Sequence, residues 1–327
     1  MRVDKLGTVI SFFIAVGAAA CSDDETPGPT PTPDSGRMDD GAADAPQGDM
    51  RPCEGSTITK GSFMLTHDGN TYSYIVHVPM SYDGTKRTPL VLNWHGANST
   101  GLEEQLYTGT SGLADEEGFI VVYPSSPDKS WNAGSCCSMV VDGGNTSRDD
   151  VGFARALVGE ITKTACIDEK RIYSMGMSNG GFMTHRLACD AADLFAAAES
   201  VSGQMPVANC QPARAMPVIQ FHGTADATIA YDKPGFSAEG ATVPEMMKNW
   251  ATRNGCTNGP DTTFQMGVVT CQTWSQCNAG ALVTFCSEEG VGHCWPGAGF
   301  CPGGLTTTSD ISATRDGWAF LKKFVLP

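Results

Sequence analysis

Basic residues are scarce in this sequence. Lysine and arginine number 21 against 36 aspartates and glutamates, which leaves a net charge of −15. A chain with that balance has no electrostatic footprint for nucleic acid, and charge alone gives it no hold on an anionic membrane surface. The acidity reads as a solubility device rather than as information about a substrate. Metal-ligand spacing is missing too. No C-x-x-C pair is followed by a second, and no Cys/His quartet lies close together, so no metal site is expected. The apolar run at residues 8–20, "TVISFFIAVGAAA", is too short to span a bilayer. Neither an internal repeat nor a second linker interrupts the chain after its first fifty residues.

Cysteine, by contrast, is plentiful. Thirteen are too many for a cytosolic enzyme of this size and fit disulfides in an oxidising compartment. The N-terminus agrees: Arg2 and Lys5 precede the short apolar run, in the manner of a secretion signal over residues 1–20. Cys21 follows "AAA", and the run "AAAC" resembles a bacterial lipobox, although Ala18 stands where an aliphatic residue such as leucine is usual. Simple cleavage after Ala20 is the other reading. Lipidation of Cys21 leaves twelve cysteines, an even number for pairing, and is the expectation adopted; that lipid would be the only membrane contact. Residues 21–52 are rich in Pro, Gly, Asp, Ser and Thr and nearly devoid of core-forming side chains. Such a segment cannot offset its ordering entropy and is expected to be a disordered tether. The folded domain is expected over residues 53–327.

Within that domain, two alternating runs around Asp68-Gly69-Asn70 predict an antiparallel hairpin over 62–67 and 71–79. "TPLVLNWHG" and "GFIVVYP" are continuous apolar runs that suit strands buried on both faces. "RDDVGFARALVGEITKTA" has helical spacing, with Asp149 or Asp150 as N-cap. "RIYSMGMS" reads as a strand running into a helix, "NGGFMTHRLACDAADLF". "AAAESVSG", "MPVIQFHG" and "ALVTFCSEEG" read as further strands; "VPEMMKNWATRNG" and "SATRDGWAFLKKFV" read as helices. Strands and helices alternate from about residue 88 onward. The expected class is therefore α/β, a mostly parallel sheet flanked by helices, with ligands bound at the carboxyl ends of its strands.

One of those strand ends holds Gly176, Ser178 and Gly180 in the pattern G-x-S-x-G. A strand that turns sharply into a helix strains its middle residue and leaves the serine oxygen exposed, and the flanking glycines permit the close approach. Taken alone the pattern also describes an ordinary Gly/Ser turn. A serine needs a base to take its proton. His67 and His77 lie in the early hairpin, and His185 lies inside the following helix, where a core or surface role is expected. His95 and His222 each end a strand inside "HG". His293, in "EEGVGHCWPG", follows the last strand and fits the order Ser, then Asp or Glu, then His that such an elbow requires. Between Ser178 and His293, Asp190 and Asp193 are expected to be solvated. Asp226, in "HGTADATIAY", stands at a strand's carboxyl end; Asp232 is the second choice. A turn-capping carboxylate is the alternative reading of Asp226. The oxyanion donors expected are the backbone N–H groups of Asn179 and Ala97.

The motifs "HGTAD", "GMSNGG", "WNAGSCC", "DDVGF" and "GHCWPG" together resemble the secreted esterases grouped with polyhydroxybutyrate depolymerases, a group that includes feruloyl and acetylxylan esterases. The resemblance covers about residues 60–327. It implies an α/β-hydrolase fold, a Ser178–Asp226–His293 triad, no metal and no organic cofactor. It puts Trp131 and Trp295 beside the acyl or sugar part of a substrate; core packing is the other reading of both. It suggests disulfides Cys189–Cys210 and Cys256–Cys277, and Cys166 with Cys136 or Cys137. Cys294 and Cys301 look like an extra local pair. This chain reads "NWHGANS" where relatives often carry a cysteine and a further glycine after "HG". The implied activity is hydrolysis of extracellular esters, feruloyl or acetyl esters of plant polysaccharide first and polyesters second. No carbohydrate- or polymer-binding module is legible, which favours soluble esters. A peptidase would usually carry a propeller or cap domain, and an inactive surface-binding lipoprotein would not need a complete triad.

Overall fold

The computed structural model describes residue 53, residues 55–137 and residues 147–327. The expected signal, Cys21 and the tether lie outside the described residues. Ten strands form one sheet in the order β1-β2-β4-β3-β5-β6-β7-β10-β9-β8. The hairpin β1 (Gly61–His67) and β2 (Asn70–His77) is antiparallel, and β2 joins β4 (Ile120–Ser125) in antiparallel fashion. From β4 the sheet runs parallel through β3 (Thr88–Trp94), β5 (Ile167–Met177), β6 (Ala197–Val201), β7 (Val218–Gly223) and β10 (Val283–Glu288). All seven residues of β3 are buried, Thr88 and Asn93 among them, as suits a largely apolar strand covered on both faces.

Helices cover both faces. One face packs against α3 (Asp150–Thr164), α4 (Asn179–Asp190) and α5 (Val243–Arg253) through Phe153, Leu157, Phe182, Leu187, Met246 and Trp250. The other packs against α2 (Thr110–Glu117) and α6 (Ala313–Leu321) through Leu113, Trp318 and Phe320. Each such side chain, fully buried, contributes about 1.5–3 kcal/mol. The N-cap of α3 is Asp149, whose carboxylate accepts the Gly152 N–H at 2.8 Å. Thr242 and Glu245 close a capping box at the start of α5. Among the described residues no helix is long and apolar enough to cross a membrane.

Four elements were not expected from the sequence. Two short polar helices, α1 (Gly101–Thr108) and α2, follow β3 and carry little apolar periodicity. The hairpin β8 (Asn258–Met266) and β9 (Val269–Ser275) adds an antiparallel edge, and β8 is exposed along nearly its whole length. A strand with no buried face leaves no alternation to read.

Six disulfides use all twelve cysteines of the domain. Cys189–Cys210, Cys256–Cys277 and Cys294–Cys301 join as the sequence suggested. Cys166 does not pair with either member of the Cys136/Cys137 doublet. It bonds Cys53, whose Cα lies 5.8 Å away, and the doublet closes on itself. Hydrogen bonds from Thr57 and Ile58 to the Thr164 carbonyl bring the start of the domain to that point. Cys271–Cys286 links register partners on β9 and β10, a pairing that the sequence did not suggest.

Candidate active site

Ser178 is the residue between β5 and α4, with φ 54° and ψ −122°. That left-handed backbone is strained for a residue with a side chain. It is held by the Ser178 N–H bond to the Val201 carbonyl at the end of β6, 2.8 Å, and by the Phe182 N–H bond to the Ser178 carbonyl, 2.9 Å. Glycine is required on either side because the helix starts against the strand. A methyl group at Gly176 or Gly180 would overlap the Trp94 carbonyl. Gly96 lies on the other flank, where an added Cβ would meet the Ser178 Cβ at 3.4 Å. Ala97 is thereby carried to the elbow.

Asp226 and His293 come from the loops after β7 and β10, which are adjacent parallel strands. The two loops are knitted by bonds from Thr224 N–H to the Glu288 carbonyl, 2.9 Å, and from Ala225 N–H to the Val291 carbonyl, 3.0 Å. His293 Nδ1 then lies 2.7 Å from Asp226 Oδ2. Asp226 Oδ1 accepts the N–H groups of Thr228 and Ile229 at 2.9 and 2.8 Å. The carboxylate therefore caps its own turn with one oxygen and holds the imidazole with the other. Burial alone would raise the Asp226 carboxyl; the hydrogen bond and charge of His293, then His222, outweigh it and hold the group below its ordinary value. An ionised Asp226 accepts, so His293 carries its proton on Nδ1 and leaves Nε2 free to act as a base.

The other acidic candidates are elsewhere. Asp232 is exposed. Asp190 and Asp193 are exposed and pair with Arg186 and Arg155. Among the described residues neither the Asn179 nor the Ala97 N–H has a protein acceptor, the condition for two donors offered to an incoming oxygen.

The two tryptophans are a correction. Trp131 and Trp295 are both 0% exposed, so neither offers a face to a ligand. The Trp131 indole donates to the His95 carbonyl at 3.0 Å and packs edge-on against Trp94. The Trp295 indole donates to Thr314 at 2.9 Å. Both amphipathic rings fill core space with their N–H satisfied. Phe300, seven residues after His293, is 60% exposed and set against Tyr107.

Several supporting side-chain roles carried no sequence signal. The buried Asn179 side chain accepts the Trp131 N–H at 2.7 Å and donates to the Trp131 carbonyl at 3.1 Å. The same loop is held from behind by Arg148, which bonds Asp150 through two nitrogens at 2.7 and 2.8 Å and Asp128 at 2.7 Å. Arg148 also donates to the Ser130 carbonyl. His95 Nδ1–H donates to the Gly96 carbonyl at 2.7 Å, while Nε2 accepts the Ser126 N–H at 3.1 Å. Burial pushes His95 down to about 4, so it serves as a neutral strut. The motifs "GMSNGG", "DDVGF" and "HG" contain Asn179, Asp150 and His95 but do not show which partners their side chains hold. Among the described residues no group of three His, Cys, Asp or Glu side chains could hold a metal ion.

Residues 72–235 match the family model described as Esterase PHB depolymerase. The chain belongs to this family. It is similar to feruloyl esterase B of Piromyces equi, 32% identical in an alignment of 273 residues that covers 77% of this chain and 45% of the relative. It is also similar to the putative esterase NocK of Nocardia uniformis subsp. tsuyamanensis, 30% identical over 73% of this chain and 69% of the relative. The chain thus spans less than half the length of the feruloyl esterase. Among solved structures, an acetyl xylan esterase from Aspergillus awamori shares the fold with a TM-score of 0.55 at 20% identity, over 72% of this chain and 94% of that one. This α/β-hydrolase architecture is the one expected for an esterase PHB depolymerase family member.

Proposed function

We propose that the chain is a serine carboxylic-ester hydrolase working through an acyl-enzyme. The observation that carries this reading is the 2.7 Å bond between His293 and Asp226, made at the same edge of the parallel sheet as a serine with φ 54°. Ser178 Oγ attacks the ester carbonyl carbon while His293 Nε2 takes its proton. The carbonyl oxygen becomes an oxyanion between the Asn179 and Ala97 N–H groups. His293 then returns the proton to the departing alcohol. Water, deprotonated by the same nitrogen, attacks the acyl-enzyme, and His293 passes that proton to Ser178 Oγ as the acid is released. Asp226 holds the imidazole in the required tautomer and stabilises its charge.

The substrates proposed are feruloyl or acetyl esters of plant polysaccharide, supported by the names of the relatives. Hydrolysis of a polyester is the second reading, supported by the family model. The six disulfides fit work outside the cytoplasm, and attachment through a lipid on Cys21 belongs to the same proposal. The test is hydrolysis of p-nitrophenyl acetate, methyl ferulate, acetylated xylan and a polyhydroxybutyrate film by the full protein and by Ser178→Ala. Loss of about 10⁵–10⁶-fold in turnover is expected in the variant. Equal rates in the two proteins would sink the mechanism. Activity on the film alone would move the substrate to the polyester.

A further inference from the structure

A run of buried polar side chains leads away from Asp226 on the α4/α5 side of the sheet. His222 Nε2 lies 3.5 Å from Asp226 Oδ2 and 2.8 Å from the Ile229 carbonyl. His222 Nδ1 lies 3.1 Å from Gln220 Nε2. Gln220 Oε1 lies 2.9 Å from His185 Nε2, and His185 Nδ1 lies 3.2 Å from Trp250 Nε1. His185, Gln220 and Trp250 are fully buried and His222 is 1% exposed. Each member therefore depends on the next, because an unmatched buried polar group costs about 1–3 kcal/mol.

The proton positions follow from chemistry at both ends. An indole N–H can only donate. His185 Nδ1 must accept from it, so neutral His185 carries its proton on Nε2 and donates to Gln220 Oε1. The Gln220 amide is thereby turned with its NH₂ toward His222; that NH₂ also meets the carbonyls of Gly203 and Phe221, each at 3.2 Å. His222 Nδ1 must then accept, which puts the His222 proton on Nε2. From the opposite end, the Ile229 carbonyl can only accept and makes the same demand. Burial holds His185 and His222 down to about 4, so both are neutral near pH 7 and their tautomers matter. The charged or titratable groups facing the run are Arg253 at His185, Tyr231 against the His222 ring, and Asp226, Glu288 and His293 at the far end.

We propose that Trp250, His185, Gln220 and His222 form a one-directional hydrogen-bond chain that ends in the His222 N–H on the Ile229 carbonyl, with Asp226 Oδ2 3.5 Å away, and so fixes the Asp226–Ile229 turn whose carboxylate holds His293. All four are positioning residues, and the proposal rests on the esterase reading of Ser178, Asp226 and His293. In the opposite tautomer the His222 Nε2 lone pair would face both the Ile229 carbonyl and Asp226 Oδ2. That oxygen is the one bonded to His293, and repulsion would turn it away from the imidazole.

Two measurements test the chain. In ¹⁵N-histidine-labelled protein at pH 7, the ring nitrogen shifts of His185 and His222 should report protonated Nε2 and bare Nδ1. A proton on Nδ1 of His222, or an imidazolium there, overturns the proposal without reference to activity. Gln220→Glu keeps the shape of the side chain and removes its donor, so the His222 proton is drawn to Nδ1. With p-nitrophenyl acetate, kcat should fall about 10–100-fold, as for groups that orient a ligand one step removed, with KM within about twofold. A wild-type kcat in that variant also overturns the proposal. Ser178→Ala in the same assay keeps the two readings apart: an active Ser178→Ala defeats the esterase reading, and the nitrogen shifts still decide the chain.

Discussion

Replacing Arg148 by methionine removes the clamp behind the candidate nucleophile while keeping most of the buried volume. The Arg148 and Asp150 side chains are 2% and 0% exposed, so solvent cannot take over the lost contacts. Breaking one partner of a buried ion pair typically costs about 3–5 kcal/mol, because a buried charge is left uncompensated. Asp150 would keep two donors, the Tyr72 hydroxyl and the Asn132 N–H, each at 2.6 Å, which places the loss near the lower end, about 3 kcal/mol. For a domain of this size that is a fall of about 5–6 °C in Tm. The assay is urea unfolding with disulfides intact, followed by tryptophan fluorescence, on Arg148→Met, Asp150→Asn and the double variant. Once Asp150 is neutral the guanidinium keeps only Asp128 to balance it, so the cycle should show a coupling of at least about 2 kcal/mol. A single-variant loss under about 1 kcal/mol, or strictly additive variants, would refute the argument that charge compensation holds this loop.

Asp226→Asn should leave the fold unchanged by circular dichroism and cut kcat about 10⁴-fold, because an amide can donate to His293 and favour the wrong tautomer; a variant within tenfold of wild type would remove Asp226 from its proposed role. Glu199 is fully buried in β6, and neither carboxyl oxygen has a hydrogen-bond partner among the described residues. Burial, then the charge of Asp316, raises it well above the ordinary 4.5. The unfolded chain releases that proton near 4.5 while the folded chain keeps it, so wild type should lose about 1.4 kcal/mol per pH unit relative to Glu199→Gln as pH rises. Urea midpoints of both proteins between pH 5 and 7 check this, and parallel curves would refute it.

The parts of the fold legible in advance were those whose physics is local. Continuous apolar runs such as "PLVLNW" mark strands covered on both faces, and the glycines around Ser178 mark a strand pressed against its helix. Asp226 and His293 stood out because each follows a strand end in a loop. The rest depends on what lies across space. β8 buries no face, so its sequence resembles a loop. Arg148, Asn179 and Gln220 act on partners 2 to 48 residues away, with no repeating interval. Cys166 has several possible partners by sequence, and only the course of the chain through Thr57 and Ile58 selects Cys53. Trp131 and Trp295 sit in motifs that neighbour the site, yet their side chains point into the core; adjacency in sequence does not fix direction.

The Cys53–Cys166 bond also defines how the domain bears tension. Any pull on the chain ahead of Cys53 crosses that bond into Cys166, one residue before β5 begins, and the nearby bonds of Thr57, Ile58 and Ser56 to Thr164 share the same anchor. The load enters a central strand, and the hairpin β1–β2 lies outside the direct path. A force applied ahead of Cys53 would therefore act on a central strand before it could peel an edge strand. With the disulfide reduced, only the hydrogen bonds of Ser56, Thr57 and Ile58 to Thr164 would stand between that force and β1.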